Sequence, residues 1–122
     1  MEAVRGQMPE HRWRHTLGVI DCAVRLAERF GEDAAKARTA ALLHDVAKAW
    51  PTERQRQAIL EDGDPAGLET LRYDKELWHA HAGCRAARRD FGVEDPDVLN
   101  AVRYHTSGRP GMSRLEKIVC LA

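Results

Sequence analysis

His44 and Asp45 stand side by side in ALLHDVAKAW, residues 41–50. The stretch is apolar on most sides, so the helix it predicts belongs in an interior. A buried carboxylate or imidazolium without a partner is costly enough to shift its pKa or weaken the fold. Asp45 therefore needs compensation. Lys48, one turn on, offers an ion pair; a metal ion would take both the carboxylate and the neutral imidazole. One adjacent His–Asp pair carries little weight, but three further histidines add to it. His15 lies at the edge of the apolar arc of the first predicted helix, with Arg12 one turn before it. His79 shares a face with Gly83 on the fourth, and His105 closes the fifth within YHT. A helical bundle lets such side chains converge on one interior point. His11 projects from the polar side of its helix. His81 lies about 200° around from His79, so only one of that pair is expected to face inward; His11 and His81 read as surface or outer residues.

The elements that must position these groups are all helical. Pro9 and Gly31 bound a helix over 9–30, on which Trp13, Leu17, Ile20, Val24 and Ala27 recur at spacings of three and four. Asp33 caps a second helix running to about Lys48, before Pro51 stops it. At 100° per residue, Ala37, Ala41, His44, Asp45 and Lys48 share one arc of it. Thr52 and Gln55 have capping-box spacing for a helix ending near Asp62. GDPAG at 63–67 reads as a turn. A fourth helix spans about 76–91, and Asp95–Pro96 opens a fifth to about Tyr104. SGRPG at 107–111 is a loop, and Ser113 with Glu116 repeats the capping box for LEKIVCLA. No segment alternates apolar and polar residues, so the fold class is all-α.

Bulk properties narrow the function. At 122 residues, 43% of them hydrophobic, the chain is one domain with a real core. Its 19 basic and 19 acidic residues cancel, which argues against a nucleic-acid binder. Cys22, Cys84 and Cys120 are odd in number and far apart, as reduced, semi-buried thiols of a cytoplasmic protein would be. No apolar run is long enough to span a bilayer. The last helix stops at Ala122 inside an apolar run, which reads as a domain truncated at its C-terminal end; that apolar end makes pairing into a homodimer an option.

The order of these residues resembles the HD-domain metal-dependent phosphohydrolases, and most closely the YqeK-type HD proteins of bacteria. RWRHTLGV (12–19), ALLHDVAK (41–48) and WHAHAGCRA (78–86) match its segments, and AVRYHTSGRPGMSRLEKIV (101–119) is the most specific piece. The resemblance implies an HD-domain helical bundle holding iron, or else Mn, Co or another divalent metal, as one or two ions. It implies cleavage of diadenosine tetraphosphate, or a related dinucleoside polyphosphate, into two ADP. Carried over, His15, His44 and Asp45 are metal ligands. Arg12, Lys48, His79, His105 and Thr106 surround the phosphates, and His79 and His105 either assist catalysis with Asp45 or hold a second ion. Arg109, in the SGRPG loop, is either a substrate contact or part of a plain connector. The family places a further Asp ligand directly after the segment matching IVCLA, and has Gly where Ala80 stands. The alternatives are another HD nucleotide phosphohydrolase or phosphodiesterase, and a module that binds metal and an ADP-like nucleotide without turnover.

Overall fold

The computed structural model describes residues 2–122. Its helices are α1 (Glu2–Arg5), α2 (Glu10–Phe30), α3 (Ala34–Leu43), α4 (Thr52–Asp62), α5 (Pro65–Thr70), α6 (Trp78–Asp90), α7 (Pro96–Arg103) and α8 (Arg114–Leu121), with a 3-10 turn at Lys75–Leu77. No strand occurs among the described residues, and the all-α expectation holds.

The long helix forms as its spacing requires. Trp13, Thr16, Val19, Ile20, Ala23 and Ala27 are buried along one stripe of α2. Gly31 ends it at φ 72°, a left-handed conformation that suits a residue without Cβ, and its N–H bonds back to the Ala27 carbonyl. Two residues later the Asp33 carboxylate accepts from the Ala35 and Lys36 amides and starts α3. Ala37, Ala40 and Ala41 are fully buried. Having no bulk beyond Cβ, they let α2, α7 and α8 close around α3, which makes α3 the centre of the bundle.

Three local readings need correction. The second helix does not run to Lys48. Its α-helical ladder ends at Leu43, and His44 to Trp50 continue as tight turns, with i→i+3 bonds from Val46 to Leu43, Lys48 to Asp45 and Trp50 to Ala47. Such turns bring residues three apart into register, so Lys48 follows Asp45 more closely than on an α-helix. Nor is there a capping box at Thr52. Pro51 is the cap residue and makes no side-chain bond. Gln55 instead turns inward and donates to the carbonyls of Ala47 (3.0 Å) and Trp50 (3.1 Å), which ties the tight turns to the start of α4. Finally, residues 65–70 form α5 where a turn was expected, because Asp64 caps the Ala66 and Gly67 amides and Pro65 occupies the first helical position. The capping box at Ser113 and Glu116 is present in both halves.

Candidate metal centre

Five functional groups meet where the end of α3 passes between α2, α6 and α7. The Asp45 carboxylate lies at their centre. Its Oδ2 is 3.3 Å from His44 Nε2 and 3.6 Å from His15 Nε2, and it accepts from Arg12 Nη1 at 3.2 Å. Its Oδ1 is 3.4 Å from His79 Nε2 and 3.5 Å from His105 Nε2. The convergence expected of the four histidines is therefore met. His44, Asp45 and His79 are buried, His105 is half-buried, and His15 stands on the exposed rim.

The protons of the inner rings are directed away from this point. His44 Nδ1 lies 2.5 Å from the Ala41 carbonyl, His79 Nδ1 3.0 Å from that of Glu76, and His105 Nδ1 2.7 Å from that of Val102. A carbonyl only accepts, so each Nδ1 carries a proton, and it is Nε2 that a neutral ring would offer as a ligand atom. His79 and His105 even face each other Nε2 to Nε2 at 3.2 Å. Burial pushes His105 and His15 toward the neutral ring, against the pull of the Asp45 charge.

Neutral lone pairs packed against a carboxylate repel unless a cation lies among them. The donor set, four imidazole nitrogens and a carboxylate, suits a first-row divalent metal. The spacing fits as well. Bonds of about 2.1 Å in tetrahedral array put neighbouring donors about 3.4 Å apart, close to the distances found here and longer than ordinary hydrogen bonds. The donors form two triplets, His15–His44–Asp45 and Asp45–His79–His105, each with its ligand atoms within 4.8 Å of one another. Asp45 belongs to both. Among outer contacts, the backbone carbonyls at Ala41, Glu76 and Val102 fix ring orientation, as partners of metal-bound histidines generally do.

A cleft of about 290 Å³ opens onto the cluster, and Arg12, His15, Lys48, His105 and Thr106 line it. Arg109 does not. Its guanidinium makes a two-pronged contact with buried Glu116, at 2.8 and 3.0 Å, and lies 4.4 Å from the centre of the Tyr104 ring. Cys120, exposed rather than semi-buried, lines the cleft with Val119; the apolar run around it gave no sign of this. His81 is a further correction, being buried at 4% exposure. Both histidines of α6 face protein because the helix is covered by α3 and α7 on one side and by α4 and α5 on another. His81 Nε2 is 3.2 Å from Thr70 Oγ1.

Comparisons with known proteins agree with this geometry. Residues 12–122 match the profile of the HD domain family. The whole chain is 49% identical to a symmetrical bis(5'-nucleosyl)-tetraphosphatase of Bacillus subtilis and 43% identical to one of Halalkalibacterium halodurans, and spans 64% of the length of each. A crystal structure from Clostridium acetobutylicum, described as a predicted HD superfamily hydrolase involved in NAD metabolism, superimposes with a TM-score of 0.89 at 44% identity, covering 97% of this chain and 62% of that one.

Proposed function

The chain belongs to the HD domain family, and from that premise we propose that it is a metal-dependent hydrolase of dinucleoside tetraphosphates, cutting diadenosine tetraphosphate into two ADP. The observation that carries this reading is the convergence of four histidine Nε2 atoms on one carboxylate beneath an open cleft lined by Arg12 and Lys48. The identity with relatives named symmetrical tetraphosphatases supports the substrate.

In this reading His15, His44 and Asp45 hold one ion, iron or alternatively manganese or cobalt. His79 and His105, sharing Asp45, hold a second; with Nδ1 protons committed to backbone carbonyls, they are better placed to bind a cation than to protonate a phosphate. Bound there, a divalent metal supplies Lewis acidity at the phosphorus and a water of lowered pKa. The protein supplies the rest. Arg12 and Lys48 bring fixed positive charge to the phosphoryl oxygens, where preorganised cations count most. Thr106 adds a hydroxyl at the cleft wall. Arg12 also donates to Asp45, which orients the carboxylate toward its ring partners. Water adds to one of the two central phosphorus atoms, the bond from it to the central bridging oxygen breaks, and that oxygen leaves with the other half.

The test is product analysis after diadenosine tetraphosphate is added with Fe(II) or Mn(II). ADP alone is the expected product. ATP with AMP would mean cleavage at another phosphate and would overturn the reading. NAD belongs in the same experiment as the competing substrate, because the description of the Clostridium relative points to NAD metabolism.

A further inference from the structure

A second cleft, of about 270 Å³, adjoins the first. Lys48 and His79 line both, so together they form the ridge between them. Arg12, His15 and Thr106 line the first cleft only, and Lys75 and Glu76 the second only. A tetraphosphate cut at its centre has two equivalent halves, and a group that reacts at the ridge must extend to both sides. We propose that the second cleft receives the departing nucleoside diphosphate half, with Lys75 as its own phosphate contact and Lys48 shared between the halves. The inference rests on the reading of the first cleft as a dinucleoside polyphosphate site.

The charges fit this assignment. Lys48 and Lys75 are both exposed, and among the described residues neither is ion-paired, whereas Lys36 contacts Asp95 at 3.0 Å and Asp97 at 3.3 Å. Two uncommitted ammonium groups on one cleft outweigh the single carboxylate of Glu76, leaving a positive lining for a diphosphate. The walls are also tied to the reacting centre. Lys75 and Glu76 belong to the 3-10 turn Lys75–Leu77, which Asp74 caps, and the Glu76 carbonyl is the partner that orients His79. On the other wall, Gln55 clasps the carbonyls of Ala47 and Trp50 on either side of Lys48. Lys75 therefore stands on the turn that orients His79, and Lys48 on backbone that Gln55 holds in place.

Lys75→Ala separates the two halves. Binding is measured by calorimetry with Mn(II), using ADP as the single-half probe and the diadenosine tetraphosphate analogue with a central methylene bridge as the two-half probe. One exposed charge-assisted contact is worth about fivefold in affinity. Lys75→Ala should weaken the analogue by about that factor and Lys75→Glu by more, while Lys75→Arg restores it and ADP binding changes less than about twofold in all three. An unchanged analogue, or equal losses for analogue and ADP, would overturn the second subsite while leaving the proposed activity intact. Failure of the unmodified protein to bind either probe would remove the proposed activity and this inference together.

Discussion

His79 and His81 leave α6 on different sides and enter two buried polar clusters of different construction. Around His81, Arg103 lies 2.5 Å from Asp64 and 3.7 Å from Asp62, and donates to Cys84 Sγ at 3.1 Å. Arg88 closes on the same Asp62. His81 is kept neutral, its pKa brought down to about 4 first by burial and then by the Arg103 charge; burial likewise pushes the Cys84 thiol up. Opposite charges meet within the chain, and the cluster ties α4, α5, α6 and α7 together. Around His79, by contrast, one carboxylate faces four ring nitrogens, three of them on rings whose other nitrogen donates to a backbone carbonyl. Among the described residues, Arg12, partly exposed at the edge, is the one Lys or Arg in direct contact with Asp45. A cluster whose charges are balanced within the chain is a fastening; one whose donors all lack the same thing is a site for a ligand that brings it.

That contrast can be broken by substitution. The largest effect should come from Asp45→Asn or His44→Ala. Turnover should fall by roughly a thousandfold or more, since the metal terms behind the rate are lost together, while circular dichroism stays helical. Activity within tenfold of the unmodified protein would mean that the centre of the cluster is not the reacting centre. Next comes the fastening. Arg103→Met leaves Asp62 and Asp64 short of a partner, and breaking a buried pair in this way costs about 3 kcal/mol. Urea unfolding should register that loss, with metal content per folded chain unchanged; metal lost in proportion to stability would show that the two clusters are one.

Smaller effects sharpen the boundary between site and scaffold. Lys48→Ala should weaken nucleotide binding about tenfold, as loss of a charge-assisted phosphate contact does, and leave the metal in place. Loss of metal instead would mean that Lys48 orients Asp45 through the tight turn they share. Arg109 and Glu116 should behave as scaffold. Burial favours the neutral Glu116 acid, but its contacts with Arg109 and the Ser113 cap prevail and hold its pKa below the ordinary value. A carboxyl depressed on folding stabilises above its unfolded pKa and loses that contribution as pH falls through the folded one. Glu116→Gln should therefore lower stability by about 1 kcal/mol at neutral pH, with the difference shrinking below about pH 4. Urea midpoints of both proteins from pH 7 to pH 3 measure this, and a gap that widens in acid would contradict the sign.

Much of the site was legible because its residues come with strong local signals: a histidine on each of four helices, and an HD pair inside an apolar stretch. The failures have physical causes. Asp64–Pro65 and Asp95–Pro96 carry the same start signal, but only the second is followed by a periodic apolar run, so the six-residue α5 was read as a turn. Thr52 and Gln55 have the spacing of a capping box, yet Gln55 serves carbonyls of the tight turns at 44–50, and those turns have no signature in a sequence that reads as continuous helix. His81 was assigned outward by helical geometry, which cannot show that α4 and α5 cover the second side of α6. Arg109, beside two glycines and a proline, carries no local sign of its contact with Glu116, which tertiary packing sets.

The most direct measurement is metal stoichiometry after equilibrium dialysis against micromolar Mn(II), with the unmodified protein beside Asp45→Asn. Because Asp45 is common to both donor triplets, the account predicts bound metal in the first and none in the second. Equal metal in both, or none in either, would contradict the claim that this cluster is built around a cation.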